Sequence, residues 1–160
     1  MNLMNKASKL QSLRALINDV QASGHIKESL YFAEYKLDLP CGGIVSIGGF
    51  GKTTKAVHFL SEHPDLSVAW IEERFSVYPC AMLQQRVALS KVLFTEADRN
   101  TIWTCLQILQ SGLFKIVVIC SSFYEQNFLR KIQLAAEKAH AVVILLSEKP
   151  ISSWTIVLQI

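Results

Sequence analysis

The run Gly48-Gly-Phe-Gly-Lys-Thr53 holds the residues best suited to chemistry: Gly48, Gly49, Gly51, Lys52 and Thr53. Glycine accepts a positive φ and lets the backbone come close to a ligand. An apolar β-type stretch, Ile44 to Ile47, enters this turn and a helical pattern leaves it after Thr53. Gly-Lys-Thr at such a junction is the second half of a phosphate-binding loop, where the first helical N–H groups face an anion. The complete loop reads Gly-x-x-x-x-Gly-Lys-Thr, and counting back from Gly51 puts Ser46 where the first glycine belongs. If Gly48 is taken as that glycine, only Gly49 and Phe50 lie inside and the loop is two residues short. Either way the cradle is smaller than a full nest of N–H groups. Lys52 and Thr53 keep the capacity to meet an anion, so weak ATP or phosphate binding stays open while no resident cofactor or metal is expected.

Other chemistry-bearing residues are fewer. The run Leu66-Ser-Val-Ala-Trp-Ile71 reads as a buried strand and ends in Glu72-Glu73-Arg74. Acids at the carboxyl end of a strand sit where open α/β sheets bind ligands. The plainer alternative is that they point to opposite sides and pair with Arg74 or other bases. His58 and His63 lack a third partner at metal spacing and read as surface or helix-end residues. Cys41, Cys80, Cys105 and Cys120 form no Cys-x-x-Cys pair and have no His at ligand spacing. They read as buried thiols in a reducing compartment. Ser121-Ser122 follow a strand but lie outside any Gly-x-Ser-x-Gly elbow.

These residues need elements to position them. Lys6 to Gln21 carries Leu10, Leu13, Leu16, Ile17 and Val20 on one helical stripe, with Lys6, Lys9 and Arg14 largely off it. Ile26 to Pro40 reads as a connection with weak strand character around Leu30 to Tyr35. After the loop, helices are expected over Thr53 to Glu62, Pro79 to Lys91, a segment capped by Asp98 or Asn100 and closed by Ser111-Gly112, and Glu125 to His140. Strands are expected at Lys91 to Thr95, Phe114 to Cys120, Ala141 to Leu146 and Trp154 to Leu158. Strands alternating with helices imply a three-layer α/β domain with a mainly parallel sheet of five or so strands. The division expected is an N-terminal amphipathic helix and connection over 1–36, then a core domain over 37–160.

Composition agrees with a packed domain. The 160 residues are 51% hydrophobic and 18% charged, which excludes disorder. A formal net charge of +3 does not demand nucleic acid, and Arg130, Lys131 and Lys138 on one helix read as a solvated face. DNA contact is expected to be weak or indirect. There is no N-terminal apolar h-region and no apolar run near the ~18 residues of a membrane span. A cytoplasmic location without membrane contact is the expectation.

The series Ile44 to Ile47, Gly-Lys-Thr-Thr, Ala69-Trp-Ile-Glu-Glu, Val92-Leu-Phe, Ser111-Gly112 and Ile116 to Ile119 resembles the RecA-type core. Leu109-Gln-Ser-Gly-Leu-Phe-Lys-Ile-Val-Val and Leu129-Arg-Lys-Ile-Gln-Leu-Ala-Ala-Glu-Lys138 are similar to the ImuA branch of RecA-like proteins. SulA-type cell-division inhibitors share a looser version of the same region, and the resemblance covers about residues 37 to 156. It implies a P-loop-type fold, but the departures fall on the chemistry. Cys120 stands where the Mg²⁺-holding aspartate of the Walker-B strand belongs, and Arg74 where the water-activating glutamate belongs, with Glu73 one residue away. A neutral thiol is a poor partner for a hard cation, so no catalysis is expected.

The ImuA resemblance implies an adaptor in SOS-type, DNA-damage-induced mutagenesis (translesion synthesis) that joins an ImuB-like polymerase homologue to an error-prone polymerase. Lys6 to Gln21 and the exposed side of Glu125 to His140 would be its contact surfaces, the first also serving self-association. The alternatives are a DNA-dependent ATPase using Lys52, Thr53 and Glu73, and a SulA-like inhibitor of the cell-division tubulin homologue.

Overall fold

The computed structural model describes residues 28–122, 124–149, 151 and 156–159. The expected helix Lys6 to Gln21 lies outside the described residues. The described chain opens with a hairpin, β1 (Ser29–Phe32) and β2 (Leu37–Pro40), paired antiparallel. Next come β3 (Ile44–Gly48), α1 (Lys52–Ser61), β4 (Val68–Glu72), α2 (Pro79–Gln84), β5 (Val92–Glu96), α3 (Thr101–Ser111), β6 (Ile116–Cys120), α4 (Gln126–Ala139), β7 (Val142–Ser147) and β8 (Ile156–Gln159). The main sheet has six strands in the order β5-β4-β6-β7-β3-β8, and every pair is parallel. The α/β reading with a helix-flanked parallel sheet therefore holds, one strand larger than expected.

Strands covered on both faces need continuous apolar runs rather than alternation, and β3, β4, β6 and β7 have them. Val45, Ile47, Trp70, Val118 and Ile144 pack with α1, α2 and the hairpin. Ile44, Ile71, Val117, Ile119 and Val143 pack on the other side with α3 and α4. The chain runs outward from β3 through β4 to β5 with its helices on the first face, then turns back through β6 to β7 with its helices on the second. Right-handed crossovers force that exchange of faces when the direction of winding reverses.

Two segments differ from expectation for local backbone reasons. The connection Ile26 to Pro40 contains the hairpin, whose turn is a short 3₁₀ segment, Ala33–Tyr35, closed by Lys36 at φ 53°. A lysine in the left-handed region gives none of the Gly or Asn signal that marks a hairpin. The expected helix Pro79 to Lys91 stops at Gln84. Arg86 takes φ 66°, its N–H donates to Leu83, and the Val87 N–H donates to Met82, which is a Schellman closure with arginine in the usual glycine place. Met82 and Val87 are both buried at that closure, so packing selects the stop. Leu89–Lys91 is a separate 3₁₀ turn.

The hairpin is docked on α1 rather than hanging from it. Phe32 is fully buried and lies 5.1 Å, centroid to centroid, from Phe59. The Glu62 carboxylate accepts the Ala33 N–H at 3.0 Å, and His63 Nε2 lies 2.9 Å from the Tyr31 carbonyl. His58 sits 3.4 Å from both Glu34 and Glu62. Both histidines thus fasten the hairpin to the helix. At its far end Gly42, with φ 86°, lets the chain pass so near α4 that a Cβ there would stand 3.1 Å from the Glu137 Cα.

If the hairpin is integral to the core, Phe32→Ala will lower unfolding free energy by about 3–5 kcal/mol. Urea unfolding should show a lower midpoint at unchanged slope; a loss below about 1 kcal/mol would mean that Phe32 is not part of the cooperative core.

Candidate functional site

Parallel strands that end at one edge bring their last residues level. The register sets Glu72 beside both Cys120 and Glu96, Cys120 beside Leu146, and Gly48 beside Ser147. The chain leaves β4 toward one face of the sheet and β6 toward the other. A crevice opens where such departures diverge. It is a cleft of about 840 Å³, and Lys52, Thr53, Glu72, Glu73, Arg74 and Cys120 are among its lining residues. Among the described residues, five carboxylates (Glu72, Glu73, Asp98, Glu125, Glu148) line it against three bases (Lys52, Arg74, Arg99). That excess of negative charge opposes a polyanion such as a nucleotide triphosphate.

The glycine turn closes on itself. Ser46 is fully buried inside β3, so the loop begins at Gly48. The N–H of Gly49 donates to the Ser147 carbonyl at 3.3 Å, and the N–H of Lys52 donates to the Gly49 carbonyl at 3.4 Å. Gly51, at φ 77° and ψ 8°, has the geometry of the third residue of a type II turn, which glycine alone adopts readily. Phe50 at the tip is fully exposed. Two of the backbone donors that a phosphate cradle would turn outward are therefore engaged within the protein. Lys52 and Thr53 open α1 and line the cleft, and the Lys52 ammonium is ion-paired with Glu148, just beyond β7. Glu148 is largely exposed, so this pair contributes less than about 1 kcal/mol.

The two acids at the end of β4 share the cleft but are not held by bases. Glu72 is buried and accepts the indole N–H of Trp70 at 2.7 Å and the backbone N–H of Ser76. Glu73 accepts the Ser121 hydroxyl, while Arg74 is exposed. The expected pairing with Arg74 is thus replaced by neutral donors, because Glu72 stands two residues beyond a tryptophan whose indole N–H needs a buried acceptor. Across the strand gap, burial raises the Cys120 thiol pKa well above its ordinary range. The charge and hydrogen bond of neighbouring Glu72 add to this, and Lys52 offsets only part. The Cys120 thiol at the end of β6 is therefore held protonated beside the Glu72 carboxylate. No group of three or more His, Cys, Asp or Glu side chains could hold a metal among the described residues.

The cysteines do not all behave as buried thiols. Cys105 is buried and its pKa is pushed up to about 12 by desolvation, whereas Cys41 and Cys120 are half-buried and Cys80 is exposed. A second residue missed in the sequence is Tyr124. Its hydroxyl accepts the Ser121 N–H at 3.0 Å and shares its proton between the carbonyls of Ile119 at 2.8 Å and Leu146 at 2.9 Å. It ties the ends of β6 and β7 together on the cleft side, and burial raises its pKa far above that of a free phenol. The only sequence signal was a tyrosine four residues beyond the most strand-like run.

No family model matches the chain, so the ImuA and RecA resemblance rests on the sequence blocks alone. No curated protein matches it either. Among solved structures it is similar to SulA from Pseudomonas aeruginosa, at 13% identity and a TM-score of 0.56, over 67% of this chain and 97% of that one. At that identity the likeness shows a shared fold. No helix among the described residues is long and apolar enough to cross a membrane.

Removing the phenolic oxygen in Tyr124→Phe takes a hydrogen-bond partner from three backbone groups at the ends of β6 and β7, and the expected loss is about 1–3 kcal/mol in thermal or urea unfolding. An unchanged midpoint would show that water replaces the hydroxyl. In the folded protein a thiol reagent should modify exposed Cys80 promptly and reach buried Cys105 only on unfolding; prompt labelling of Cys105 contradicts its burial.

Proposed function

We propose that this chain is a protein-binding α/β domain without phosphoryl-transfer chemistry, acting as a SulA-like inhibitor of the cell-division tubulin homologue in a DNA-damage response. The observation that carries the first half is the closed turn: the N–H groups of Gly49 and Lys52 bond inward. Phosphoryl transfer depends on outward donors, a metal-holding acid and a positioned base acting together. Here the acid's place holds Cys120 and the base's place holds exposed Arg74. The likeness in fold to SulA supports the second half. An inhibitor of that kind needs only a surface that occupies its partner, with no turnover and no nucleotide.

A second reading is an ImuA-like adaptor on a degenerate RecA-like domain, joining an ImuB-like polymerase homologue and an error-prone polymerase. The block Leu129 to Lys138 supports it, because that block falls on α4 with Arg130, Lys131, Leu134 and Lys138 all exposed. Residual anion affinity at Gly48, Gly49, Gly51, Lys52 and Thr53 belongs to either reading as a remnant.

The test is GTP-driven assembly of the purified division protein, followed by light scattering with increasing amounts of this chain. Suppression of assembly that is equal for wild type and Lys52→Ala is the expected result. Undiminished assembly, together with retention of the polymerase homologue on the immobilised chain, would move the assignment to the adaptor. Mg-ATP turnover that disappears in Lys52→Ala would overturn both.

A further inference from the structure

The face of α3 and α4 that points away from the sheet contains a groove of about 420 Å³. It runs between the later turns of both helices, toward the amino edge of the sheet and away from the Lys52 cleft. Leu106 and Leu109 of α3 and Leu134 and Ala135 of α4 form its apolar walls. Leu134 is 54% exposed, and Trp103, one turn before Leu106 on α3, is 65% exposed. Among the described residues, the charged side chains that line the groove are Lys131 and Lys138, and no carboxylate lines it. They are seven residues apart, about two turns of α4, so their backbone positions lie on the same side of the helix, about 10 Å apart along its axis.

We infer that this groove is the partner-binding surface, and that its occupant is an amphipathic helix on the partner protein with one apolar side bordered by carboxylates. The inference rests on the inhibitor reading above and names the surface that would carry it. Charge selects among occupants. This chain's own stripe, Leu10 to Val20, is flanked by Lys6, Lys9 and Arg14, which would add cations beside Lys131 and Lys138. A second copy meeting this one across a two-fold axis would bring the same lysines toward each other. An acidic helix satisfies both lysines and covers Leu134 in the helix-in-groove mode, with anchors at i, i+3, i+4 and i+7.

The experiment uses the full chain in the assembly assay with purified division protein. Leu134→Glu and the double variant Lys131→Glu/Lys138→Glu should each weaken inhibition about tenfold or more, with unchanged circular dichroism. Leu113→Glu, at an exposed leucine outside the groove, should leave it unchanged. Added salt should weaken wild-type inhibition but not the residual inhibition of the double variant. If wild type inhibits and both groove variants inhibit equally well, the groove assignment is overturned while the inhibitor reading stands. If wild type does not inhibit, both fall. Stronger inhibition by Leu13→Glu/Leu16→Glu would show the chain's own segment in the groove. A dimer that Leu134→Glu splits would show a second copy there. Either result replaces the acidic partner.

Discussion

The N–H of Gly49 donates to the Ser147 carbonyl, and the N–H of Lys52 donates to the carbonyl of Gly49 itself. A backbone donor satisfied inside the fold is not available to a ligand unless that bond is first broken. The rest of the carboxyl edge is consistent with this closure. Lys52 meets Glu148, Glu72 takes the Trp70 indole and the Ser76 amide, Glu73 takes the Ser121 hydroxyl, and the Tyr124 hydroxyl bridges β6 and β7. Each of these groups already has a neutral or charged partner from the chain itself. The edge is built as a cross-braced corner.

That corner is held from below by a sheet covered on both sides. Hydrophobic burial on two faces makes β3, β4, β6 and β7 stiff supports, and the reversal of winding between β5 and β6 opens the cleft where it does. The same architecture leaves the outer helix faces exposed to solvent. α4 buries Phe128, Leu129, Ile132 and Ala136 against the sheet and turns Lys131, Leu134 and Lys138 outward. One helix thus joins core and surface.

Much of this could be read from residue order. The apolar runs of β3, β4, β6 and β7 and the stripes of α1, α3 and α4 are long and regular, so periodicity located them and implied the parallel sheet. The hairpin and the end of α2 were hidden because Lys36 and Arg86 adopt left-handed conformations that tertiary contacts impose. Local sequence carries no trace of such an override. In the site, the shortness of the glycine turn was legible from spacing alone. The partner of Glu73 was not, since Ser121 is 48 positions away and only the folded strand order brings them together. Tyr124 was missed for the same reason: its hydroxyl joins two strands, a relation that one segment does not reveal.

The turn after β3 keeps the N–H groups of Gly49 and Lys52 for the fold. Amide hydrogen exchange at Gly49, Gly51, Lys52 and Thr53, measured with and without millimolar Mg-ATP, tests it most directly. The account predicts slow exchange at Gly49 and Lys52 that nucleotide leaves unchanged. Fast exchange at those two amides that becomes selectively protected when Mg-ATP is added would contradict it, and would restore the turn as a working phosphate site.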